Sequence, residues 1–232
     1  MHILFTRPFD DANELIVKFK SLGHIVSNIP VILISKKDYP NIDYSSFKGI
    51  IFTSSNAIKF LNTKMFDKNT KCFCVGSSTE KAAKRKGFQN IFSAEGNVNN
   101  LKEIILQNFR SSEGKLLYIS GETITSDLDK FLISEGLKVE RVVNYSSDPI
   151  EKFDEILIND LKKNIPDIVY IYSQNSAISF KNLIKNYNLQ NLWMDTNLMC
   201  ISEKTSSVLN DIKWKKIFLF NPGEEEYLLY KI

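Results

Sequence analysis

Apolar positions along this chain alternate between two spacings. Short runs of β-forming residues give way to stretches where apolar residues recur every third or fourth position, the mark of strands leading into amphipathic helices. Ile3–Thr6 predicts a strand, and Asp10–Leu22 a helix whose stripe is Leu15, Phe19 and Leu22 and whose stop is Gly23. Ile25–Ile34 predicts a second strand, and polar Lys36–Ser46, with Pro40, a connection. Together they form a strand–helix–strand block, X. Block Y follows at Ile50–Leu61, where Ile50-Ile51-Phe52 runs into Thr53-Ser54-Ser55-Asn56 and then a helical spacing at Ala57, Phe60 and Leu61. Block Z predicts a strand at Lys71–Val75, a turn at Gly76-Ser77-Ser78-Thr79, a helix at Glu80–Lys86 stopped by Gly87, and a short strand at Asn90–Phe92. After a loop at Glu95–Asn100, Leu101–Phe109 predicts another helix.

The pattern then restarts. Strand Lys115–Ser120, helix Asp127–Glu135 with its stop at Gly136, and strand Lys138–Tyr145 repeat X at an offset of 113 residues, which carries Gly23 onto Gly136 and Leu15 onto Leu128. Lys152–Asn164 predicts an intervening helix, ended by Pro166. Asp167–Ile184 repeats Y at an offset of 120, setting Ala177 on Ala57. Strand Leu198–Ile201, turn Ser202-Glu203-Lys204-Thr205 and helix Ser206–Asp211 repeat Z at 126, setting Thr205 on Thr79. Strand Ile217–Phe220 and a helix after Pro222-Gly223 close the chain, with Glu224, Glu225 and Glu226 placed for that helix's positive end. Alternating strands and helices in the order X-Y-Z, X-Y-Z imply an α/β fold of two similar domains, each a parallel sheet flanked by helices.

Composition narrows the class. The 232 residues are 43% hydrophobic and 25% charged, which describes a soluble globular chain. A net charge of +3 is too small to point to nucleic acid and suits an acidic substrate. Cys72, Cys74 and Cys200 lie in strand-like apolar runs, and their odd number points to buried thiols in a reducing compartment rather than to disulfides. The opening strand leaves no place for a usual signal peptide, and no apolar run reaches the roughly 20 residues of a membrane span. A soluble, cytoplasmic protein is expected. His2 and His24 have no neighbouring thiol or acid in the sequence, so no metal is expected. Neither G-x-G-x-x-G nor a P-loop occurs, so no nucleotide signature is present. Lys81, Lys84, Arg85 and Lys86 read as a solvated helix face.

The candidate chemistry sits where strands meet helices. The Y turns (Thr53, Ser54 and Ser55; Ser173, Asn175 and Ser176) read either as plain helix caps or as an anion site of hydroxyls and free backbone N–H groups. If the two domains face each other, both turns line one cleft. Gly76 permits a tight strand exit, and Thr79 and Thr205 are positioned to cap or to bind. Arg7, just past a strand end, is either solvated or a fork for carboxylates. Tyr145, at the end of a strand, is either an interface aromatic or a phenol donor.

Taken in order, these residues resemble the uroporphyrinogen-III synthase family. The resemblance runs over nearly the whole chain. It is carried by Thr6-Arg7-Pro8, Thr53-Ser54-x-Asn56-Ala57, Val75-Gly76-x-x-Thr79, the strand end at Gly121, Gly136 before a strand closing on Tyr145, Ser173 and Thr205. The chain departs at Ser202, where a glycine is common, and lacks the arginine often seen shortly after Gly121. The resemblance implies two α/β domains joined by a two-stranded linker, with the chain crossing twice: 1–34 with 149–232, 37–145, and linkers at 35–36 and 146–148. It implies closure of hydroxymethylbilane, a poly-carboxylate linear tetrapyrrole, to uroporphyrinogen III. Water is lost and the last pyrrole ring is inverted through a spiro intermediate, without cofactor, in a monomer. Tyr145 would be the acid, and Arg7, Thr53, Ser54, Ser55, Gly76, Thr79, Ser173 and Thr205 the substrate contacts. The competing readings are a cytoplasmic two-lobed small-anion-binding protein without catalysis and a nucleotide-dependent α/β enzyme.

Overall fold

The apolar run Ile25–Ile34 reads as one strand but forms two, and Pro30 is the cause. A proline has no N–H to donate to a ladder, so a strand pairing does not run through it. In the computed structural model, which describes residues 1–62 and 66–231, β1 (His2–Phe5) is followed by α1 (Phe9–Ser21), β2 (Ile25–Asn28) and β3 (Ile32–Lys36). β2 and β3 belong to different sheets. Next come β4 (Phe47–Phe52), α2 (Ser55–Lys59), β5 (Lys71–Val75), α3 (Gly76–Arg85), β6 (Ile91–Ala94) and α4 (Val98–Asn108). The second half holds β7 (Lys115–Gly121), α5 (Leu128–Ser134), β8 (Lys138–Pro149), α6 (Glu155–Lys163), β9 (Ile168–Ile171), α7 (Gln174–Asn186), β10 (Asn197–Cys200), α8 (Glu203–Ser206) and β11 (Lys216–Leu219).

Two sheets result. One has the order β11-β10-β9-β1-β2 with parallel pairing throughout. In the other, β6-β5-β4-β7-β8 repeats that order strand for strand, again parallel, and β3 is added beside β8. The bonds from Ile150 N–H to Val31 O and from Lys37 N–H to Asn144 O show that β3 and β8 run antiparallel. The chain separates into two compact units, Met1–Leu33 with Asp148–Ile232 and Ile34–Ser147. Both boundaries fall on the β3–β8 pair, so this pair is the connection between the units.

Each sheet is covered by helices. In the first unit Ala12, Ile16 and Phe19 of α1 pack on Ile3, Phe5, Ile168 and Tyr170. In the second, Ala57 and Ile58 of α2 and Ala83 of α3 cover one face with Ile50, Phe52 and Ile119, while Leu101, Ile105, Leu128 and Leu132 of α4 and α5 cover the other. Each fully buried leucine, isoleucine or phenylalanine among them contributes about 1.5–3 kcal/mol relative to exposure. Cys72, Cys74 and Cys200 are free and buried. Burial pushes the Cys200 thiol up to about 12. Among the described residues no helix is long and apolar enough to cross a membrane.

Three sequence expectations change. The turn 76–79 is the first turn of α3, which starts at Gly76 rather than Glu80, because Thr79 and Ala83 already form its buried stripe. In the second copy, Ser202 caps α8 at Glu203, and the helix tightens after one turn into a 3-10 turn at Ser207–Leu209 instead of running on to Asp211. The chain ends in a 3-10 turn, Tyr227–Lys231, and the three acids before it bind other partners than a helix end. Glu224 accepts the Asn221 N–H, Glu225 accepts the Gly223 N–H, and Glu226 pairs with Lys18.

The repeat in Y also has a corrected register. The cap residues are Ser54 and Ser173, 119 positions apart, not 120. Because side chains alternate along a strand, a slip of one would exchange the two faces. At 119, Ile51 matches Tyr170, and their pairing partners Tyr118 and Phe5 then match at the same 113 as the X helices.

Candidate functional site

Ligands of parallel α/β sheets gather at the carboxyl ends of the strands, where helices begin. In the second unit that edge starts with Thr53, just past β4. Ser54 is extended (φ −153°, ψ 144°), and its hydroxyl accepts the Asn56 N–H at 3.2 Å. Ser54 therefore caps α2, while Thr53 and Ser55 are half-buried beside it. Thr53 Oγ1 lies 3.2 Å from the phenol of Tyr118, in the middle of β7. Tyr118 is 2% exposed, and burial raises its phenol above the ordinary tyrosine value. Gly76 opens α3 at φ 78°, a left-handed conformation that favours glycine. No side chain caps α3, since Val75 holds the N-cap position. Thr79 is buried.

Tyr145 sits on β8 opposite Gly121, just after an irregularity in the β7–β8 register. A Cβ on Gly121 would lie 2.7 Å from Tyr145 Cζ and 2.9 Å from its hydroxyl, so the ring rests directly on the glycine backbone. Tyr145 is half-buried. An arginine of the neighbouring strand reaches the end of β7. Arg141 donates through Nε to Ser120 Oγ at 2.8 Å and through a terminal nitrogen to the carbonyls of Gly121 (2.9 Å) and Glu122 (3.2 Å). Sequence reading passed over both Tyr118 and Arg141. The signal for Arg141 is its place opposite Tyr118 on the adjacent strand.

In the first unit, Arg7 follows β1, and Asn28 Nδ2 fixes its backbone by donating to the Arg7 carbonyl at 2.9 Å. The guanidinium carbon stands 4.5 Å from the centre of the Tyr172 ring, a cation–π contact. Arg7 Nε is buried without a hydrogen-bond partner among the described residues. Burial, and after it the nearby Glu225 carboxylate, raise the Tyr172 phenol well above its usual value. Glu225 is itself buried, and its carbonyl accepts the Tyr170 phenol at 2.7 Å. Ser173 caps α7 by accepting the Ser176 N–H at 3.0 Å, with the two hydroxyls 2.8 Å apart. Thr205 is buried, its Oγ1 3.0 Å from Ser202 Oγ.

The second unit thus brings Thr53, Ser54, Ser55, Gly76 and Tyr145 to the carboxyl edge of one sheet, and the first brings Arg7, Ser173 and Thr205 to that of the other. Thr79 and Thr205 lie buried beside those edges. A cavity of about 730 Å³ opens at the opposite, amino end of β4 and β5, beside Lys48, Lys71 and Glu113. There Lys71 is already tied to Glu113 and to the Asn108 carbonyl. Geometry favours the hydroxyl-bearing edges, where donors stand at helix starts.

The family model described as HEM4, uroporphyrinogen-III synthase HemD, matches residues 13–219 of the chain. The chain is 27% identical over 223 residues to the porphyrin biosynthesis protein HemD of Ruminiclostridium josui, covering 88% of this chain and 42% of that protein. It is 26% identical over 165 residues to the uroporphyrinogen-III synthase of Saccharomyces cerevisiae, covering 63% and 58%. The chain therefore spans about half the length of these curated relatives. The crystal structure of uroporphyrinogen-III synthetase from Helicobacter pylori has a TM-score of 0.65 at 18% identity, over 100% of this chain and 99% of that one. A mutant uroporphyrinogen III synthase from Thermus thermophilus has 0.54 at 13%, over 100% and 96%. At these identities the likeness is one of fold.

Proposed function

The chain belongs to the uroporphyrinogen-III synthase family, and on that premise we propose that it closes hydroxymethylbilane to uroporphyrinogen III, inverting the last pyrrole ring and releasing water, in haem biosynthesis. The observation that carries this reading is the family match over residues 13–219, which takes in residues of both compact units. The substrate bears many carboxylates, which only accept hydrogen bonds. Donors are what the sheet edges offer: Thr53 and Ser55 hydroxyls, the uncapped first turn of α3 at Gly76, the Arg7 fork and the Ser173 turn. Thr79 and Thr205, being buried, hold the shapes of the turns that present those donors.

The reaction is in essence one of conformation. A flexible chain that can close in two ways is held in one, which is catalysis by positioning. Tyr145 is the proton donor to the departing hydroxyl, an assistance of about 10²–10⁴-fold. Its ring has a fixed seat on Gly121, which supports the role. The test is to supply hydroxymethylbilane alone and separate the isomers formed. Type III product is the expected result. Type I alone, the isomer of unaided closure, overturns the reading in favour of anion binding without catalysis.

A further inference from the structure

Either oxygen of the Thr53–Tyr118 contact is able to supply its hydrogen. Burial decides between them. The Tyr118 phenol is enclosed, and Thr53 Oγ1 is the hydrogen-bond partner it has among the described residues. Were Thr53 to donate, the phenol proton would be left buried without an acceptor, an arrangement folded proteins avoid. Thr53 is half-buried, so its own proton can turn to solvent or to a ligand. Burial also keeps the phenol protonated at neutral pH.

We propose that Tyr118 is a positioning residue: its phenol donates to Thr53 Oγ1 and so commits the Thr53 hydroxyl to donate outward, to a substrate carboxylate. This rests on the reading of Thr53 as a carboxylate ligand. A hydroxyl that accepts one hydrogen bond keeps its own proton free and donates it more strongly, which suits a carboxylate, a group that only accepts.

The other copy of the fold shows what packing alone requires. Phe5 is the counterpart of Tyr118, and Tyr172 that of Thr53, by strand register. Phe5 is fully buried, stacks on Tyr170 at 5.2 Å and lies 6.5 Å from the Tyr172 ring. A phenyl ring therefore fills this place in the sheet. The added hydroxyl appears in the copy where a threonine stands above it.

The experiment is steady-state kinetics on hydroxymethylbilane, following type III product, with the parent, T53V, T53S, Y118F and the T53V/Y118F double variant. Y118F is expected to fold, to raise KM about 3–10-fold and to hold kcat within about twofold, the pattern of lost uniform binding. T53V raises KM at least as far, T53S restores the parental value, and the double variant is no worse than T53V. A parental KM in Y118F, or a double variant showing the product of the two single effects, overturns the positioning role and leaves Thr53 as a ligand. A parental KM in T53V removes the ligand and the positioning role together. A parent that forms no type III isomer overturns the activity, and this proposal with it. A Y118F chain that fails to fold contradicts the comparison with Phe5 and likewise overturns it.

Discussion

Gly121 has no room for a side chain because Tyr145 occupies the space. With a Cβ held 2.7 Å from the ring, Gly121→Ala must displace the phenol or the end of β7 by several tenths of an ångström. Expected is a fall in kcat of about 10²-fold, no deeper than that of Tyr145→Phe, whose ceiling is ~10⁴-fold. Far-ultraviolet circular dichroism of both variants should match the parent. Gly121→Ala with parental turnover would mean that the seat of the ring is irrelevant to the reaction. Tyr145 stood out in the sequence as the last residue of an expected strand, although β8 runs on to Pro149. Tyr118 did not, since a tyrosine in Leu-Leu-Tyr-Ile reads as a core aromatic. Its partner Thr53 is 65 positions away, and only the β4–β7 pairing brings the two oxygens together. Arg141 was hidden for a similar reason, as one of three charges in the Lys-Val-Glu-Arg run that opens β8. The burial of Thr79 and Thr205 is a matter of helix phase, which small polar residues do not reveal.

At the scale of elements, the strand-to-helix turns serve two purposes at once, and the capping one can be measured separately. Ser173 satisfies the Ser176 N–H at the start of a thirteen-residue helix that buries Ala177, Phe180, Leu183 and Ile184. Ser173→Ala should therefore cost about 0.5–2 kcal/mol of folding free energy, read as a lower urea midpoint at unchanged m-value. Ser173→Asp should recover most of it, since a carboxylate also caps and suits the helix's positive end. An alanine variant as stable as the parent would show that the Ser173–Ser176 pair has no capping role. Strands β5, β9 and β10 lie within a residue or so of the spans read from apolar runs, because a strand buried on both faces leaves a continuous apolar run in the sequence. Helix starts were less legible. The early start of α3 is set by Gly76 turning into the helix at positive φ, and the Gly-Ser-Ser-Thr run looks the same whether it bends or coils. The division of β2 from β3 rests on Pro30 alone, flanked by apolar residues that suit either sheet.

At the scale of the molecule, repetition and assembly carry different information. Two X blocks and two Y-Z blocks are visible from spacing, yet identical blocks can pair within a half or across halves. Only strand pairing decides, and β1 pairs with β9 while β4 pairs with β7. Each unit also carries its own acid-sensitive ion pairs. In the second, Lys71 holds Glu113 below the usual carboxylate range, and Lys84 does the same for Glu80. In the first, Lys181 and then Lys185 act on Asp211. A carboxylate whose folded pKa lies below its unfolded one binds fewer protons when folded, so its contribution is complete above the unfolded value near 4 and disappears as pH falls through the folded one. Stability should therefore be level from about pH 8 to pH 5 with respect to these groups and decline below about pH 4.5. Lys18, whose pKa is raised by Glu226, adds no pH dependence in that window, because its contribution is lost only as pH rises through the alkaline range. These pairs are partly exposed, so the acid decline should shrink in ~1 M salt, where the screening length is about 3 Å. Urea midpoints taken at half-unit pH steps, at low and high salt, test this directly. A Lys71→Met variant should show a shallower decline than the parent, having lost the cation that depresses Glu113. A variant curve parallel to the parent's through the acid limb would remove the Lys71–Glu113 pair from the account, and a midpoint constant to pH 3 would remove all three carboxylates.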